Sequence, residues 1–314
     1  MAVIKTNLTL KNHIVTCSVW VFVLFINACK TENSTTKEHG PSIGESLYFG
    51  QKPPGLLPEL FAPGLVSIEG RYEFGISFAP DLDEVYFSAK EVDETTVIYY
   101  SRLKDKKWSP IKRADFTKGE KDTEMKPFVS LTEDKIYFTA YNAESRNTKI
   151  WYVTRTKDSW SSAKKLETPI NGDRVFNVNQ GRSGDFYYTN IAKRKMFYTT
   201  NVNAEFSEVK EMNIEFGIQG FISPSQDYLV VNARNKEEES RKDNDLYVYF
   251  KGKDGTWSKP INLGEEVNST FSETVPSITP DGKYLFFSRY NEEGGLSNFY
   301  WVSTKVIDKV RPKE

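Results

Sequence analysis

Histidine and cysteine are almost missing from this chain of 314 residues. His13, His39, Cys17 and Cys29 are all there are, and each lies before residue 40. The rest of the chain has no imidazole, no thiolate and no disulfide. That excludes Ser-His-Asp and Cys-His nucleophilic sites from the body. It also excludes zinc sites of the Cys/His type. A metal there would need oxygen ligands, as calcium does. Acid–base chemistry would fall to carboxylates, lysine or tyrosine. Charge of one sign is lacking too. The net charge is -1, so no global field draws nucleic acid, and no such partner is expected. No helical period of 3.6 runs through the body.

Aromatic side chains are abundant, with 17 Tyr and 21 Phe. Flat and β-branched side chains suit a pleated, half-buried surface. Charged residues make up 27% of the chain, well above what a membrane-embedded protein carries. A β-rich soluble body is expected.

The N-terminus reads as an address. Lys5, Lys11 and His13 precede a charge-free apolar run over 14–28. The run falls short of the roughly 20 residues of a spanning helix and fits a secretory signal. It ends in Ile26-Asn27-Ala28-Cys29, which resembles a bacterial lipobox with Cys29 as the lipidated residue. The alternative is an uncleaved anchor helix. Either way the body is expected outside the cytoplasm, lipid-anchored to a bacterial membrane on its periplasmic face or at the cell surface. A body without cysteine fits that compartment. Residues 30–56 are polar with Gly and Pro and read as flexible tether. Within them Gly40-Pro41-Ser42-Ile43-Gly44 matches a hydrolase elbow formally, but it lacks the flanking strand and helix and a downstream His. The expected organisation is a signal peptide over 1–28, a tether over 29–56 and one repeat domain over 57–314.

The repeat is the strongest signal. "FAPDLDEVYFSA" (78–89), "VSLTEDKIYFTA" (129–140), "ISPSQDYLVVNA" (222–233) and "ITPDGKYLFFSR" (278–289) share one pattern, and "GRSGDFYYTN" (181–190) is a degenerate copy. An apolar residue is followed by a polar turn, an apolar-aromatic run and then Ser, Thr or Asn. The anchors Phe87, Phe138, Tyr188, Val231 and Phe287 recur about every 50 residues, a period typical of propellers and solenoids. A second short strand follows each. After four of them comes a polar turn with an aromatic and a serine, as in Trp108-Ser109, Trp160-Ser161, Phe206-Ser207 and Trp257-Ser258. The fifth copy lacks this segment, and its counterpart lies near Phe61 at the other end of the domain. The pattern predicts an all-β fold, a five-bladed β-propeller whose ring is closed by an N-terminal strand. Six blades are the alternative. Closure removes the exposed sheet edge, and a monomer is expected.

"SPSQDYLVV" and "TPDGKYLFF" resemble the PD40 or WD40-like repeats of TolB-type propellers. The opening "PELFAPGLVS" and "YEFGISFAPD", with the closing "FYWVSTKVID", resemble a family of bacterial lipoproteins that carry this repeat. The likeness covers roughly 57–310. It implies a periplasmic or surface propeller and no particular activity.

Asp81 and Asp281, in the turns, are expected to bind local backbone amides. A more informative position lies eight residues upstream: Glu73, Glu124 and Glu273, with Glu215 in a second "EFGI" and Asn177 in the third copy. If this position lines the central channel, four carboxylates meet near the axis, where like charges raise each other's pKa or gather a cation such as calcium. Alternatively, each Glu recurs because the same backbone group needs a partner. No cofactor is otherwise expected. Two functions follow: a tethered binding or scaffold module for a protein, peptide or glycan, or a carboxylate-dependent glycoside-processing enzyme acting in the central funnel.

Overall fold

The computed structural model describes residues 47–313 apart from 92, 157, 203–204, 239 and 291–295. Cys29 and the signal segment lie outside the described residues. No helix among the described residues is long and apolar enough to cross a membrane.

The body consists of consecutive four-stranded antiparallel sheets. The first is Tyr72–Phe78, Glu84–Lys90, Val97–Lys104 and Lys112–Arg113. The second is Thr123–Val129, Lys135–Tyr141, Lys149–Thr154 and Lys164–Lys165. Val175–Gln180, Phe186–Asn190, Lys195–Thr199 and Lys210–Glu211 form the third. Ile218–Ile222, Tyr228–Arg234, Asn244–Phe250 and Ile261–Asn262 form the fourth. The fifth takes Glu273–Ile278, Tyr284–Tyr290 and Ser297–Ser303, and its outer strand is Glu59–Leu60, brought back from the start of the domain. The one further sheet among the described residues is a two-stranded hairpin, Asn201–Val202 with Glu205–Phe206. The innermost strands contact one another in chain order, and the fifth returns to the first. This is a β-propeller.

The sequence explains the layering. Innermost and second strands are buried along nearly their whole length, because neighbouring sheets cover both faces. Their aromatic anchors fill the spaces between sheets. Trp160 of the second sheet packs edge-on against Tyr100 and Phe116 at its border with the first. In the fifth sheet's turn, Asp281 accepts from the Thr279 hydroxyl at 2.6 Å and the Lys283 amide at 3.1 Å, and Gly282 takes the left-handed φ of 78°. The serine after each outer aromatic also has a fixed duty. Ser109, Ser161, Ser207 and Ser258 each accept a third-strand N–H at 3.0–3.1 Å.

Two expectations need correction. The tether does not run to residue 56: Tyr48 is buried, with its ring against Phe78, Tyr284 and Trp301, and the Gln51 side chain bonds Leu60 and Ala62. Its polar neighbours hid one aromatic that the closure seam needs. Secondly, a short helix, Lys305–Val310, follows the last strand. At six residues it spans under two turns, too few to leave a readable period.

Candidate functional site

Every innermost strand breaks register once. The shifts lie between Phe74 and Ile76, Met125 and Phe128, Phe176 and Asn179, Ile218 and Phe221, and Thr274 and Ser277. At each β-bulge one residue takes a left-handed backbone: Gly75, Lys126, Asn177, Gln219 and Val275, with φ between 50° and 64°. Val275 is β-branched, so the conformation is strained there. Neighbouring sheets hold it in place. The Lys126 N–H donates to Ser88 Oγ at 2.6 Å, the Gln219 N–H to Thr189 Oγ1 at 2.9 Å and the Val275 N–H to Asn232 Oδ1 at 3.3 Å. These acceptors are the Ser, Thr or Asn that close the repeat signature, one place after the anchor. The recurrence was legible in the sequence; its duty was not, because the bonded partner belongs to another repeat.

The bulges surround an axial cavity of about 510 Å³ reached by all five innermost strands. Tyr72, Phe74, Tyr141, Phe176 and Tyr290 supply aromatic surface. Thr96, Thr148, Thr274, Gln219, Asn232 and Asn244 supply hydroxyls and amides. Among the described residues no carboxylate lines it. Among the described residues its one basic side chain is Lys126, only 3% exposed. The Lys126 amine sits 3.7 Å from the centre of the Phe176 ring and 5.8 Å from that of Phe74, and has no hydrogen-bond partner among the described residues. Burial pushes it well below the usual lysine range. Nothing in the repeat pattern pointed to Lys126, because the bulge position carries a different residue in every copy.

The four glutamates do not meet at this cavity. Glu73 accepts from the Ile68 amide at 2.8 Å, Arg71 Nε at 2.9 Å and Asn298 Nδ2 at 3.2 Å. Glu124 accepts from the amides of Phe116 and Thr117 and from the Thr117 hydroxyl, at 2.6–3.1 Å. Glu273 accepts from the Ser269 amide and hydroxyl and from Arg289 Nε, at 2.6–3.1 Å. Each carboxylate pins the linker that leads into its own innermost strand. Burial raises Glu73 to about 7, against the downward pull of Arg71, the Ile68 amide and Asn298. Burial likewise raises Glu273, against Ser269 and Arg289. Glu215 is a different case: it stands before the strand, half exposed, paired with Lys259 at 3.1 Å. Its "EFGI" repeats that of Glu73, but the fourth bulge falls at Gln219 rather than at the tetrapeptide's glycine. The match is therefore out of register by two residues. Asn177 is itself a bulge residue and donates to the Gly220 carbonyl at 3.2 Å.

No group of three or more acidic, histidine or cysteine side chains among the described residues is placed to hold a metal ion. A larger groove of about 800 Å³ lies beside the second sheet. Three of its five lysines are tied down as follows: Lys135 pairs with Glu133, Lys165 with Glu167, and Lys149 donates to the carbonyls of Asn171 and Asp173.

No protein-family model and no curated protein matches the sequence. Solved structures of similar shape include TolB from Acinetobacter baumannii, at 14% identity and a TM-score of 0.43, covering 74% of this chain and 57% of that one. This chain thus spans little more than half of that TolB. A GH43 endo-arabinanase from Bacillus licheniformis has 10% identity and a TM-score of 0.48 over 76% of this chain and 96% of its own. The β-propeller domain of the Trilobed protease from Pyrococcus furiosus has 15% identity and a TM-score of 0.37, over 77% and 72%.

Proposed function

We propose that the protein is a lipid-tethered, extracytoplasmic binding module that takes its ligand in the axial funnel. One observation carries this reading. Three of the four recurrent carboxylates that a glycoside-processing site would need are consumed in pinning linkers and the fourth, Glu215, pairs with Lys259, while the axial cavity offers aromatic faces, amides and hydroxyls. Its volume falls within the roughly 300–1,000 Å³ of ligand pockets, which are likewise lined by aromatic side chains with a few polar groups. Glycan or peptide ends carry the matching ring faces and polar groups. The tether rests on Cys29 and the apolar run before it.

The test is calorimetric titration of soluble oligosaccharide and peptide panels into wild type and into Thr274→Trp, which fills the funnel. Saturable binding lost in Thr274→Trp is the expected result. Turnover of a glycoside or ester that disappears in Glu73→Gln, Glu124→Gln or Glu273→Gln would restore the enzymatic alternative. For the anchor, Cys29→Ser should abolish incorporation of radiolabelled palmitate into the protein in the producing bacterium. Absence of label in wild type, or equal labelling of Cys29→Ser, would refute lipidation at Cys29.

A further inference from the structure

The funnel is unevenly equipped, and the imbalance identifies a ligand class. Buried polar side chains are almost always hydrogen-bonded. Here three side chains lining one cavity have polar atoms without a partner among the described residues: Lys126 Nζ, Thr148 Oγ1 and Thr274 Oγ1. All three residues are more than nine-tenths buried. Lys126 is held in place by its own backbone, since its N–H is fixed to Ser88 and its stem passes over Gly75. A Cβ at Gly75 would lie 3.1 Å from Lys126 Cγ. The amine is thereby carried inside the ring of innermost strands, between Phe74 and Phe176, with no described carboxylate to answer it.

Resting on the binding-module reading, we infer that the axial site takes a small ring-bearing carboxylic acid, its carboxylate on Lys126 and its ring on the aromatic wall. The charge count favours a carboxylate. A carboxylate needs one positive charge, which Lys126 supplies once protonated, whereas a dianionic phosphate would remain half compensated, and among the described residues no arginine lines the cavity to grip it with two hydrogen bonds. Phe74 and Tyr72, with ring centres 4.7 Å apart, and Phe176 across the axis leave space for a ring. The other ionisable side chains lining the cavity among the described residues are the phenols of Tyr72, Tyr141 and Tyr290, and no carboxylate is among them to repel an arriving acid.

The experiment uses the full chain in detergent solution and two matched probe pairs: D-glucuronate with D-glucose, and benzoate with benzyl alcohol. Binding is followed by calorimetry at pH 7 for wild type, Lys126→Met and Thr274→Trp. In at least one pair the acid should bind tenfold or more tightly than its neutral partner. Lys126→Met should abolish that preference, and Thr274→Trp should abolish binding altogether. Titrations in buffers of different ionisation enthalpy, repeated from pH 6 to 9, should reveal proton uptake on acid binding in wild type only. The inference is overturned if neither acid is preferred, or if Lys126→Met keeps the preference. Equal binding of acid and neutral probe, lost in Thr274→Trp, would sink the carboxylate assignment and leave the binding module standing. If no probe binds, the carboxylate assignment falls, and the oligosaccharide and peptide panels alone decide the broader reading.

Discussion

Two buried ionisable side chains, on either side of Met125, Phe74's counterpart in the second sheet, show how little residue type says about role. Glu124 and Lys126 both lie in Thr123–Val129, yet the carboxylate accepts from linker donors, while the amine finds no acceptor among the described residues. Glu73 and Arg71 make a buried pair at 2.8 Å, 0% and 5% exposed. Glu73→Ala would strand the guanidinium, and a loss of about 3–5 kcal/mol is expected in urea unfolding. Lys126→Met should act the other way, raising stability at pH 7 by about 1–3 kcal/mol, because an unsatisfied buried group is replaced by an apolar one of similar length. The pH dependence has a definite sign. The lysine is depressed in the folded state, so the unfolded chain holds more protons in the window below the ordinary lysine pKa of about 10.4. Stability therefore falls as pH drops through that window toward the lowered folded value. Thermal melts from pH 7 to 10 should show this slope in wild type and its reduction in Lys126→Met.

Within a single sheet, the recurring small residues act across boundaries rather than along their own strand. Thr189 accepts the bulge N–H of the next sheet, while Thr139, at the equivalent position, has no partner for its hydroxyl among the described residues. Thr189→Val should therefore cost about 1–3 kcal/mol, and Thr139→Val should be neutral or stabilising. Equal losses at both positions in chemical denaturation would contradict the cap assignment. The "EFGI" pair makes the same point about register. Side chains alternate with a period of two, and a bulge inserts one more residue, so identical tetrapeptides land in different environments. Glu73 is buried against its linker, whereas Glu215 stands in solvent beside Lys259.

For the whole molecule, ring closure concentrates in one seam. Glu59 and Leu60 pair with Trp301 and Tyr300, and Phe61 behind them is fully buried against Phe286 and Trp301. Removing residues 1–61 should expose the edge of Ser297–Ser303 and empty the Phe61 site. The loss of the Phe61 ring alone is worth about 3–5 kcal/mol. Unpaired edges also template association. A drop in melting temperature together with self-association by light scattering is expected; a truncated chain as stable and monomeric as the parent would show that the seam is dispensable.

The propeller itself was legible from residue order. A repeat of about 50 residues, each copy with a turn and an aromatic anchor, has few ways to bury its faces except against its own copies. The closing strand was also foreseen, although it forms at Glu59–Leu60, just ahead of the Phe61 segment that pointed to it. What tertiary structure alone decided is which side chains face the axis. That depends on bulges whose stabilising partners sit in a neighbouring repeat, and on packing that leaves a lysine of one strand as the single basic side chain lining the described cavity. Local pattern encodes the unit; the chemistry at the centre arises only where five non-identical units converge.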